Sequence, residues 1–177
     1  MYKKIITFLF ILVFNILPVF AGQEDYATIT PNASIEEMVD TMHNVYAEKN
    51  YKKLHNTSMI CIMFYPEEFW GYYYEGVALY ELQDYENSIN YFTTAIKIAK
   101  KQHSKYLATT YINRAMPYHA LGQIKNETKD LYSAYKTMGS NYSPEDKTMV
   151  LNALKKLKQA NEQIYNTVIQ EYNKENP

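Results

Sequence analysis

Apolar residues recur along most of this chain at three- and four-residue steps, the spacing of one helical face. Ile35, Met38, Val39, Met42 and Tyr46 form the first such set. Ser34 and Glu37 precede and open it as a capping box, hydroxyl to amide and carboxylate to amide. Lys49-Asn50 predicts its end, and Tyr51, Leu54, Ser58, Cys61 and Ile62 mark a second helix. Glu67 and Glu68, behind Pro66, place acids in the first turn of a third helix running to about Leu82. Gln83-Asp84 turns the chain into a fourth, carrying Tyr85, Ser88, Ile89, Phe92, Ala95 and Ile96 and closing on Lys97, Lys100 and Lys101. A further pair spans about Ser104 to Leu121 and Ile124 to Met138, with Gly122-Gln123 between them and Gly139 as the natural stop. Pro117 inside the first of these predicts a bend near Asn113–Pro117. No strand-length alternation interrupts the pattern, so the expected fold class is all-α.

The last element reads differently. Ser143-Pro144-Glu145-Asp146 supplies a cap, a first-turn proline and two acids in favoured order. Val150, Leu154, Leu157, Asn161, Ile164 and Val168 then step by four and three, a heptad-like seam with one polar member. Read as continuous over residues 144–173, this is one helix of roughly 40 Å, its first half capping the stack and its second half overhanging.

Small residues recur at fixed offsets. Gly76, Ser88 and Ala95 lie twelve and seven residues apart, where two helices of a hairpin approach closely. Around them, Leu79 to Ile89 and Phe92 to Ile96 resemble the core of a tetratricopeptide repeat. Tyr111, Asn113-Arg114-Ala115, Tyr118, Leu121-Gly122-Gln123, Asp130-Leu131 and Ala134 match in register, and Met42, Leu54 and Cys61 repeat the offsets more faintly. Met42 and Gly76 are separated by the 34-residue period of that family, and Gly76 and Ala115 by five residues more. The resemblance covers about residues 35–141. Met42, Leu54 and Glu127 depart from it, standing where the family prefers small side chains. It implies a short α-solenoid of antiparallel helical hairpins over residues 34–143, with residues 144–173 as a capping helix.

In such a stack the first helix of each hairpin lines a concave groove. The register puts Glu36, Val39, His43 and Tyr46 there from the first unit. Trp70, Tyr73, Val77 and Tyr80 come from the second, and Thr109, Ile112, Met116 and His119 from the third. This face is aromatic and nearly uncharged, the residue mix that dominates binding surfaces. The same rings are equally suited to packing between hairpins, Phe69 through Tyr74 above all. Members of the family that grip carboxylate termini use Lys, Asn and Arg in the groove. Here the matching positions hold Val39, His43 and Asn113 without a basic pair, which argues against that mode.

Residues 1–21 form a separate segment. Lys3-Lys4, the apolar run Ile5 to Leu17, Pro18 and the close Val19-Phe20-Ala21 follow the order of a secretory signal peptide. The run is shorter than a spanning helix needs, so export to the periplasm or outside the cell is expected, with no mature membrane span. Residues 22–33 show no period and read as a linker. Cys61 is the only cysteine, so no internal disulfide supports the fold.

Composition adds three things. Tyr, at 19 of 177 residues, is unusually common and suits half-buried, amphipathic faces. The formal charge of −1 provides no field to draw nucleic acid. Catalytic motifs are missing: there is no phosphate-binding glycine loop, no zinc-protease helix motif and no paired-cysteine site, and His43, His55, His103 and His119 are scattered. The reading is a non-catalytic protein- or peptide-binding adaptor of the cell envelope, without cofactor or metal. Two alternatives stay open: a self-assembling protein that forms a homodimer through residues 150–168, and a glycan binder that stacks sugars on the groove aromatics.

Overall fold

The computed structural model describes residues 32–102, 104–140 and 142–176. The leader, most of the linker and His103 lie outside these residues. Eight helices are found among them: α1 (Ile35–Ala47), α2 (Tyr51–Phe64), α3 (Phe69–Glu81), α4 (Tyr85–Lys101), α5 (Leu107–Ala120), α6 (Ile124–Thr137), α7 (Pro144–Ala160) and α8 (Glu162–Glu175). They pack as consecutive antiparallel hairpins, so the all-α stack expected from the periodicity is the fold observed.

The helix ends follow from local chemistry. Ser34 Oγ accepts from the Glu37 amide at 3.2 Å while the Glu37 carboxylate accepts from the Ser34 amide at 2.7 Å. Asn50, Asp84, Ser143 and Asn161 cap α2, α4, α7 and α8 in the same side-chain-to-amide manner. Three-residue turns close the first three hairpins, and each holds one left-handed residue: Lys49 (φ 56°), Gln83 (64°) and Gly122 (66°). These three positions repeat the 34- and 39-residue offsets read from the sequence. Helix α3 begins at Phe69, one residue after its N-cap Glu68, and α5 begins at Leu107, later than the pattern alone indicated. Helix α5 passes through buried Pro117 to Ala120 as one helical segment.

Close approach happens where the repeat offsets put it. Met42, Leu54, Cys61, Ser88 and Ala95 are fully buried, and Ala115 and Ala134 nearly or fully so. In the first hairpin these positions hold the bulky Met42 and Leu54, both fully buried. Arg114 on α5 forks onto Asp130 on α6 at 2.8 and 2.7 Å and donates to Thr93 Oγ1 on α4 at 2.8 Å, tying adjacent hairpins together.

The C-terminal expectation needs correction. Residues 144–173 do not form one helix: at Asn161 the backbone is extended (φ −155°, ψ 87°), and its side-chain oxygen accepts from the Ile164 amide at 3.0 Å to start α8. Helix α8 folds back beside α6. Lys125–Glu171 and Lys129–Glu175 pair at 3.0 Å each and keep one common offset, so α6 and α8 run parallel. The seam is consequently internal, with Val150, Leu154 and Val168 all 3% exposed or less. The described residues form four hairpins, and of the seam expected to pair with a second copy Val150, Leu154 and Val168 are buried while Leu157 and Ile164 are partly buried.

Candidate functional site

A cavity of about 520 Å³ opens along the face shared by α1, α3 and α5. Helix α1 supplies Val39, His43 and Tyr46, each one turn from the next. Helix α3 supplies Trp70, Tyr73, Tyr74, Val77, Tyr80 and Glu81. Thr109, Asn113 and Met116 come from α5, Tyr106 from its N-cap, and Phe92 of α4 closes the floor. These helices face one way because each hairpin turns its partner helix to the convex side.

The structure therefore brings Val39, His43, Tyr46, Trp70, Tyr73, Val77, Tyr80, Thr109 and Met116 into one lining, as the register placed them. Ile112 and His119 do not reach it. Ile112 leans on the core beneath α5 and α6, and His119, 76% exposed, turns to the Glu127 carboxylate at 3.0 Å. Glu36, exposed at the start of α1, is also outside. Tyr74, Glu81, Phe92 and Tyr106 were missed as lining residues. Tyr74 and Phe92 sit on buried faces, and Tyr106 precedes its helix, where periodicity carries no signal.

Trp70 is half-buried and serves both roles weighed for it. Its indole lies 4.7 Å from the Tyr106 ring and 5.1 Å from Phe69, both edge-on, and stacks on Tyr74 at 5.9 Å. It is thus a packing residue between the second and third hairpins that also shows a face to the cavity.

Polar groups in the wall are mostly satisfied. Asn113 Nδ2 donates to the Tyr73 phenol oxygen at 2.8 Å, and the Tyr74 phenol shares a 3.1 Å hydrogen bond with His43 Nδ1. Burial, reinforced by neighbouring phenols, pushes Tyr73 and Tyr74 up to about 12, so both stay neutral at physiological pH. At the rim Tyr142 Oη accepts from the Thr109 amide at 3.0 Å, capping an α5 start that has no side-chain cap of its own. Among the described residues no Lys or Arg lines the cavity, and Glu81 is its one carboxylate.

Burial, with Glu68 behind it, raises the Cys61 thiol to about 11, which leaves it protonated and poorly nucleophilic. Ser58, His55 and Glu75 lie together between α2 and α3, but in the wrong order for a nucleophile. Ser58 donates to Glu75 Oε2 at 2.6 Å and His55 Nδ1 bonds Glu75 Oε1 at 2.7 Å, so the imidazole stands on the carboxylate and not on the hydroxyl, unlike a Ser-His-carboxylate triad.

No protein-family model and no curated protein matches the sequence. Solved structures do match the fold. The Yersinia enterocolitica type III secretion translocator chaperone SycD superposes with a TM-score of 0.64 at 15% identity, over 77% of this chain and 90% of that one. The N-terminal domain of stress-induced protein-1 (STI-1) from C. elegans gives 0.59 at 13% identity, over 70% and 94%. At such identities the likeness concerns the fold, and that fold is a tetratricopeptide-like stack of helical hairpins.

Proposed function

We propose that this protein is a non-catalytic adaptor of the cell envelope that holds a protein or peptide segment in the groove of α1, α3 and α5. The observation that carries the reading is the cavity itself: about 520 Å³, walled by aromatic and aliphatic side chains from three hairpins, with few charges. Such concave, largely apolar sites with a few polar groups are the usual form of a binding site. The fold supports it as well, since stacked hairpins present an extended concave surface. One fold neighbour is a type III secretion translocator chaperone. Export rests on the order of residues 1–21, which is that of a secretory signal peptide.

The test is binding by variants that change the lining without changing the fold. Met116, 41% exposed, and Tyr46, 43% exposed, are suitable positions. Met116→Glu and Tyr46→Ala should melt within a few degrees of wild type yet lose a protein cross-linked to wild type in an envelope extract. A cross-linked partner kept equally by both variants would place binding elsewhere. Trp70→Ala is unsuited to this purpose, because its packing against Tyr106, Phe69 and Tyr74 would be lost too.

A further inference from the structure

The groove is electrically lopsided. Among the described residues its lining carries seven aromatic rings (Tyr46, Trp70, Tyr73, Tyr74, Tyr80, Phe92 and Tyr106), the His43 imidazole and the Glu81 carboxylate, with no Lys or Arg. The Glu81 side chain, exposed at the edge of the groove, makes no hydrogen bond or ion pair with any of the described residues. It is the last residue of α3, next to Tyr80, and Tyr46 stands at the matching end of α1. Helices α1 and α3 are parallel, being the first members of consecutive hairpins, so their C-terminal dipole ends lie on the same side of the groove. Neither has a basic residue in its last turn to offset that partial negative charge. Desolvation first, and the Glu81 charge second, raise the Tyr51 phenol; desolvation, then Tyr85 and Glu81, raise that of Tyr80. Glu81 is thus the one carboxylate of the lining at this end, while Lys49 follows the C-cap of α1 outside the lining.

We infer that the segment held in the groove presents a lysine or arginine side chain to the end formed by Tyr46, Tyr80 and Glu81, an inference that rests on the groove being the binding site. Ring faces attract cations, and a carboxylate beside them adds directional pairing. The remainder of the lining, from Val39 and Val77 to Trp70 and Tyr106, offers no charge and takes apolar side chains. Trp70 and Tyr80 stand ten residues apart on α3, about 15 Å along the axis. That span is too long for a small ammonium ion and fits several side chains of one peptide. A segment ending in a carboxylate would meet the wrong sign at this end.

The experiment uses a phage library of random twelve-residue peptides, selected on the full chain, on Glu81→Gln and on Met116→Glu. Glu81 is exposed, so its amide variant keeps the fold. Peptides selected on wild type should carry Lys or Arg beside apolar residues well above the input frequency. One such peptide, synthesised, should bind Glu81→Gln about tenfold more weakly, and replacing its cation by norleucine should cost wild type about the same. The two changes together should cost little more than either, because they remove one interaction. Peptides lost by Met116→Glu but held equally by Glu81→Gln, without a cation bias, would overturn this inference and leave the groove reading intact. Failure to select any Met116-sensitive peptide would overturn both. Choline is the remaining arm, read by quenching of Trp70, the only tryptophan. Saturation by choline that no selected peptide displaces would assign the cage to a small quaternary ammonium and overturn the peptide source.

Discussion

The Ser88 hydroxyl on α4 donates a 2.7 Å hydrogen bond to the Gly76 carbonyl on α3. This pairing sets how closely the two helices of the second hairpin approach, and the Phe92 ring fills the space where a Gly76 side chain would stand. A Cβ built there would lie 2.8 to 2.9 Å from three Phe92 ring atoms. Phe92 is 1% exposed and has nowhere to swing. Gly76→Ala is expected to destabilise by about 1–3 kcal/mol, more than the roughly 1 kcal/mol that alanine gains in helix propensity. Urea denaturation measures this, and an unchanged or raised midpoint would refute the packing argument.

The hairpin turns give a prediction of opposite sign. Gln83 occupies the left-handed region at φ 64°, where Gly122 serves the equivalent turn of the third hairpin at 66°. A side chain in that region costs about 1–2 kcal/mol, partly offset in glycine by the greater entropy of its unfolded chain. Gln83→Gly should therefore stabilise by about 0.5–1 kcal/mol, seen as a higher melting temperature, whereas Gly122→Ala should lower it by a similar amount.

These two cases show why so much of the fold was legible. Backbone geometry repeats at Gly76, Ser88, Ala95 and Gly122, and it left a small or turn-forming residue there in the second and third units, although Met42, Leu54 and Glu127 fill the matching close-approach positions with larger side chains. The groove register followed for the same reason, since a helix face fixes which of Val39, His43 and Tyr46 point together. Ile112 was misplaced because it borders two faces, and its apolar side chain is drawn to the core. The break at Asn161 was hidden because its four-and-three spacing fits a continuous seam and a hairpin equally well. The available clue was chemical: an asparagine followed by Glu162 is a helix start.

Glu75 introduces a pH dependence. It is 1% exposed between α2 and α3. Desolvation raises its carboxyl above the ordinary 4.5, with hydrogen bonds from Ser58 and the charge and hydrogen bond of His55 opposing, and Asp84 adding to the rise. The folded state thus binds this proton more tightly than the unfolded chain does. Its contribution is fully present below about pH 4.5, the unfolded value, and is lost as pH rises through the folded one. Glu75→Gln keeps acceptors and donors for both partners and removes the titration. Wild type minus variant stability, followed by urea unfolding from pH 4 to 8, should fall with rising pH. A difference that grows with pH would mean the carboxylate is stabilised by burial with His55.

The C-terminal hairpin yields the sharpest test of whether the seam is internal. Val168 is 1% exposed, Leu157 and Tyr165 pack on the core around Leu131 and Ala134, and Tyr172 sets its ring edge-on to Tyr132 at 5.0 Å. Helix α8 therefore covers apolar surface of α6 and α7 that would otherwise meet water. Removing residues 161–177 should cost about 3 kcal/mol or more, from the loss of several buried side chains. Val168→Asp should do comparable damage by leaving a charge buried without a partner. A self-assembling seam demands the reverse: the truncated chain would keep its unfolding midpoint and lose only its concentration-dependent mass. Urea unfolding and sedimentation of the same samples separate the two. A truncated protein as stable as the full chain would show that α8 does not hold the stack closed, because the buried area on α6 would then contribute nothing.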